Sequence, residues 1–207
     1  MVLPALIQKK NYIVNPSTGL LDKNSLLEDA YNILLDDFQT NEVIYNGTRV
    51  FLEQKILDCT VCDNNCVNEF CTCDDCAWAG KLDIFQHITS DEDPTLESRL
   101  TKEAKRKLAK KRKKVPKAKV RTPGEFSLGR TIRIPWIKWL IENANNNSDI
   151  QTHIIRVSSQ KTKFVLYYKK QDYMVVLSRT QYANGSIEIY LNSAYHKPYA
   201  SLLRHFK

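Results

Sequence analysis

Four alternating segments near the C-terminus constrain the fold most. HIIRVSS, KFVLYYKK, YMVVLSRTQY and SIEIYLNSAY follow one another between His153 and Tyr195. They are rich in β-branched and aromatic residues and read as strands. Ala183-Asn184-Gly185 is a hairpin signal between the last two, and Gln171-Asp172 leaves room only for a tight turn before them. Consecutive strands joined this closely pair antiparallel, so the four form a meander. RIPWIKWLIENANNN precedes them, with Pro135 at a first helical turn and Trp136, Ile137, Leu140 and Ile141 at helical spacing. KPYASLLRHFK is expected to close the chain as a short helix. The fold class is α+β.

All six cysteines fall in one window, Cys59 to Cys76. Cys59-x-x-Cys62 and Cys73-x-x-Cys76 are two thiolate pairs, each able to place two ligands on one ion, and together they complete a tetrahedral zinc site. Cys66 and Cys71 lie between them; they replace a member of a pair, share a second ion, or stay reduced. Unliganded thiols and a disulfide-tied loop are the alternatives. A closed four-thiolate site leaves no position for water, so it serves folding rather than chemistry. The opening MVLPALIQKK places its lysines after the apolar stretch, the wrong order for a secretory signal. No apolar run approaches the ~18 residues of a membrane span. The expected setting is therefore cytoplasmic and reducing, where clustered cysteines bind metal more often than they pair. A eukaryotic source would add the nucleus, and a phage source the virion.

Upstream of the cysteines, Leu26, Leu27, Ala30, Ile33 and Leu34 recur at helical spacing, predicting a helix over 25–38 capped by Asn24 or Ser25. EVIYNGTRVFL reads as a hairpin around Asn46-Gly47. KLDIFQHIT, after the cysteines, reads as a short strand.

The net charge of +8 is unevenly spread. Residues 1–93 carry 6 basic and 16 acidic side chains, 94–121 carry 13 and 2, and 122–207 carry 12 and 5. Three parts are expected: an acidic, zinc-binding, Cys-rich domain over 1–93, a basic helical linker over 94–124 containing Pro116, Pro123 and Gly124, and an α+β domain over 125–207. The linker's Lys105, Arg106, Lys107, Lys110, Lys111, Arg112, Lys113 and Lys114 suit nucleic-acid phosphates through a salt-dependent contact. An acidic protein partner or a plain solvated helix are the alternatives. No aromatic residue lies in this run, so it does not stack bases.

The C-terminal part holds residue types suited to metal-free RNA cleavage, which needs a base, an acid and a cation for the charged phosphorane. His153, Arg179, Thr180, Ser193, Tyr195 and His196 are the candidates. Its carboxylates, Glu125, Glu142, Asp149, Asp172 and Glu188, have no paired spacing for a carboxylate–metal centre. A helix, a four-stranded meander with Arg179-Thr180, and a last strand with Ser193-Ala194-Tyr195 together resemble the barnase–EndoU–colicin–RelE nuclease superfamily, above all its phage-encoded branch. The resemblance covers roughly Pro135 to Lys207. It implies a ribonuclease that works by transesterification, with His153 or His196 as base or acid, Arg179 stabilising the phosphorane, and Thr180, Ser193 and Tyr195 orienting the phosphate. It departs at the helix, where phage members often show a histidine and this chain reads NANNN. A non-enzymatic zinc-containing nucleic-acid-binding protein and a viral or phage structural adaptor stand as the alternatives.

Overall fold

The structure is a computed structural model that describes residues 2–54, 81–92, 124–198 and 203–206. The cysteine window and the basic run 105–114 lie outside the described residues.

The N-terminal stretch forms a short ribbon, β1 (Ile13–Asn15) against β2 (Leu20–Leu21), and leads into helix α1 (Lys23–Leu35). The cap is Asp22 rather than Asn24 or Ser25: its carboxylate accepts from the Ser25 backbone N–H at 3.0 Å and the Ser25 hydroxyl at 2.7 Å. Leu26, Leu27, Ala30 and Leu34 are buried, as their spacing predicts. The chain then widens into a π-turn, Asp36–Thr40, which buries Phe38. β3 (Val43–Tyr45) and β4 (Thr48–Phe51) form the expected hairpin. Asn46 and Gly47 turn it with φ of 50° and 75°, which the amide side chain and the missing Cβ tolerate.

KLDIFQHIT is corrected from strand to helix. Asp83–Thr89 is α2: its apolar spacing also fits a strand, but Ile84, Phe85 and Ile88 lie on one helical face and all three are buried. β5 (Ser90–Glu92) follows and pairs with β6 (Gly124–Phe126), which leads into a single turn, α3 (Leu128–Thr131). Helix α4 (Pro135–Asn143) begins at Pro135 as expected. β7 (Ile150–Arg156), β8 (Lys161–Tyr168), β9 (Tyr173–Gln181) and β10 (Ile187–His196) form the expected antiparallel meander. Of the expected final helix, the described part is a short 3-10 turn at Arg204–Phe206.

The expected division into separate N- and C-terminal domains is corrected for the described residues. Six strands form one sheet in the order β3-β4-β10-β9-β8-β7. β4 joins β10 in parallel, with Ile189 opposite Val50 and Tyr190 opposite Phe51. One core takes Leu27, Phe38, Val50, Phe85, Ile137, Leu177 and Leu191 from both sides of 94–124. The physical reason is coverage: a sheet face this wide needs more than α4, and α1 and α2 complete the second layer. A smaller cluster, Val165, Tyr167, Met174 and Val176, lies on the opposite face, with Tyr195, Leu203 and Phe206 packed against it. Among the described residues no helix is long and apolar enough to cross a membrane.

Candidate active site

The register of β10 shifts between Leu191 and Ser193, leaving Asn192 as an extra residue. Leu191 sits opposite Leu177 and Ala194 opposite Val175, and both enter the main core although they are three positions apart. In an unbulged strand they would point to opposite faces; the bulge reverses the alternation. It turns Ser193 and Tyr195, opposite Val176 and Met174, toward the second face. The Asn192 side-chain carbonyl accepts from the Ser178 hydroxyl at 3.2 Å.

β4 pairs with β10 only at Ile189 and Tyr190; further along, α2 and α3 pack against that strand. α2 brings His87, whose Nε2 lies 2.8 Å from Ser193 Oγ. The His87 ring stands edge-on to Tyr195, centroids 6.1 Å apart and planes at 86°. Arg130, from α3, places its guanidinium carbon 4.8 Å from the Tyr195 ring centroid. Its Nη1 donates to the carbonyls of His87, at 3.1 Å, and of Ser90. A cation is favoured there, where α2 ends with carbonyls pointing outward. Thr131 donates to Ser127 O at 2.8 Å, and Ser127 N–H to Thr89 O at 2.9 Å, so α2 and α3 are tied together under the site.

His196 is the next residue on β10 and lies opposite Tyr173. Its Nδ1 is 2.7 Å from where a Cβ would stand on Gly129, so the ring uses space that only glycine leaves. Tyr173 is fully buried, and that burial raises its phenol well above the usual value, keeping it protonated at neutral pH.

Ser193 and Tyr195 are thus brought together beside His87, and His196 sits next along the strand against Gly129, but the other expected site residues lie elsewhere. Arg179 and Thr180 lie opposite Ile189 and Glu188, toward the far end of the β9–β10 hairpin. Arg179 is five residues along β9 from Met174, the neighbour of Tyr195, or about 17 Å. Arg179 Nη2 is 3.5 Å from Gln181 Oε1. His153 faces Val165, which faces Val176, which faces Ser193. That row spans three strand spacings, about 14 Å. The His153 ring instead meets Phe206, centroids 6.1 Å apart. Burial also changes the part Ser193 can play: it is 0% exposed and holds the His87 ring, so it does not face a substrate phosphate.

Sequence reasoning missed His87 and Arg130. The signal for His87 was available, since Ile84, Phe85 and Ile88 mark one helical face and His87 flanks it. For Arg130 there was none. Among the described residues no group of three or more His, Cys, Asp or Glu side chains is placed to hold a metal ion. No family model, curated protein or solved structure matches the chain.

Proposed function

We propose that this chain is an RNA-directed nuclease that cleaves by transesterification at the site formed by α2, α3 and the end of β10. The observation that carries this reading is His87, held by Ser193 at 2.8 Å beside the Tyr195 ring. In this scheme the role of base or acid expected of His153 passes to His87, and His196 is the other proton-transfer group. One imidazole takes the proton of a ribose 2′-hydroxyl as its oxygen attacks the adjacent phosphorus. The other gives a proton to the departing 5′-oxygen. The products are a 2′,3′-cyclic phosphate and a free 5′-hydroxyl. Tyr195 orients the phosphate, and Arg130 supplies the positive charge near it that was expected of Arg179. No carboxylate–metal centre is needed, because imidazoles carry the protons.

A structural zinc on Cys59, Cys62, Cys73 and Cys76 belongs to the same reading. Its support is the donor set and spacing: four thiolates fill a tetrahedral ion and favour folding. Lys105 to Lys114 would hold the RNA backbone.

The test is incubation of folded, zinc-loaded protein with mixed RNA in magnesium-free buffer, with product ends analysed. Cyclic-phosphate ends that disappear in His87→Ala support the proposal; intact RNA sinks it. A second reading, a nucleic-acid-binding protein without catalysis, draws on the burial of the cluster. Arg130 is only 3% exposed and its guanidinium bonds two carbonyls, as a structural arginine does. That protein would bind RNA with a steep salt dependence and yield no product.

A further inference from the structure

On the sheet face that carries Ser193 and Tyr195, the alternation of β8 and β9 sets out a second feature. Beyond the row of Val165 and Val176, Lys163 lies opposite Ser178, and beyond that Lys161 lies opposite Thr180. Residues two apart on a strand share a face, so Lys161, Lys163, Ser178 and Thr180 all join it. Ser178 is about 7 Å along β9 from the Ser193 row, and Thr180 about 14 Å. Asn192 accepts from Ser178 through its carbonyl, which leaves its amide NH₂ as a donor.

No carboxylate pairs with Lys161 or Lys163 among the described residues. Arg156 and Arg179, which flank Thr162 on the other face of the same hairpin end, add to the positive potential there. Glu188, opposite Thr180, is the one opposing charge in these rows, and it is engaged by the hydroxyls of Tyr182 and Tyr190.

We propose that Lys161, Lys163, Ser178, Thr180 and Asn192 form a backbone-binding track for single-stranded RNA, leading away from the His87–Tyr195 site. The proposal rests on the nuclease reading for its direction and on the charge for its ligand. The ammonium groups contact successive phosphates, and the Thr180 hydroxyl and the Asn192 amide donate to phosphate oxygens between them, while the Ser178 hydroxyl holds Asn192 in place. Each lysine contact releases counterions, so the track has a measurable salt signature. It selects no sequence, since nothing in it reads base edges. Thr180 keeps a role in phosphate contact, at a distance from the chemistry.

The experiment measures binding of a labelled, unstructured RNA oligonucleotide to His87→Ala protein by fluorescence anisotropy, from about 50 to 200 mM salt. The same measurement is made with Lys161→Gln/Lys163→Gln added. We expect affinity to fall about tenfold at low salt and the log–log slope to become shallower by about 1.4, two contacts at ~0.7 each. Lys170→Gln is the control, because Lys170 already pairs with Asp149 at 2.7 Å and should bind as its parent does. An unchanged affinity and slope in the double variant overturns the track. Cleavage is followed separately with native His87. Product together with an unchanged slope rejects the track and keeps the nuclease. A lysine-dependent slope without product keeps the track on a binding protein. Absence of RNA binding rejects both.

Discussion

His87 and Ser193 lie 106 positions apart, and their side chains meet at 2.8 Å. One comes from a helix before the basic segment, the other from the last strand of the meander. The hydroxyl fixes the ring through Nε2, so in the proposed nuclease it acts on reactivity through His87. We expect His87→Ala to lower kcat/KM on RNA by at least about 100-fold. Ser193→Ala should lower kcat about tenfold with KM unmoved, the effect of losing one positioning hydrogen bond. Ser193→Thr, which keeps the hydroxyl, should restore most of it. Steady-state kinetics with a short RNA checks all three. Equal loss in the Ala and Thr variants would show that packing, not the hydroxyl, matters.

Gly129 and His196 form a second coupled pair. A Cβ at position 129 would stand 2.7 Å from His196 Nδ1, closer than packed atoms come. Gly129→Ala should therefore displace the ring and cost about 1–3 kcal/mol. His196→Ala in that background should recover stability, giving a double-mutant coupling well above zero. Thermal melts of the four proteins measure it. Additive effects would mean that the ring moves away without strain.

The shared sheet makes a claim about the isolated C-terminal part. Removing 1–124 strips Val50, Phe85, Ile84, Ile88, Leu27 and Phe38 from a core that also contains Leu177, Ile189 and Leu191. Each buried side chain of this kind contributes about 1.5–3 kcal/mol, and a domain's net stability is only about 5–15 kcal/mol. A chain of residues 125–207 should show no cooperative thermal transition by circular dichroism. A sharp transition like that of the full chain would restore the two-domain expectation.

Asp37 sits in the π-turn after α1, with Lys138 Nζ 3.9 Å from its Oδ1. Burial pushes its carboxyl up to about 6, Lys138 works against that, and Asp36 and Glu142 add to it. The folded chain thus binds this proton more tightly than the unfolded chain does. Folding takes up a proton between about pH 4 and 6, and this contribution to stability is lost as pH rises through that window. The cost above it is on the order of 3 kcal/mol. Asp37→Asn should be at least as stable as the native chain at about pH 7.5, with its advantage shrinking toward about pH 4. Denaturant titrations at both values decide it. A gap that grows with acidity would contradict the sign.

The four strands, α4 with Pro135 at its start, and the Asn46-Gly47 hairpin were legible because each follows from local chemistry: side-chain periodicity, a fixed φ, or a tolerated positive φ. α2 was misread because LDIFQHIT is short enough for apolar spacing to fit two periods, and burial on one side decided it. Ser193, Tyr195 and His196 were legible as residue types. Their company was not. The bulge at Asn192 sets which way Ser193 and Tyr195 point, and only the pairing of β10 with β9 shows it. Arg179 and His153 lie on the same sheet as the site yet about 14 to 17 Å from it, a separation set by strand register and order. His87 and Arg130 reach Tyr195 because α2 and α3 pack beside the stretch of β10 that β4 leaves unpaired. The sequence by itself determined most of the strands and helices, α2 excepted, since those choices depend on neighbours a few residues away. The tertiary structure decided which reactive groups meet, since that depends on contacts across more than a hundred residues.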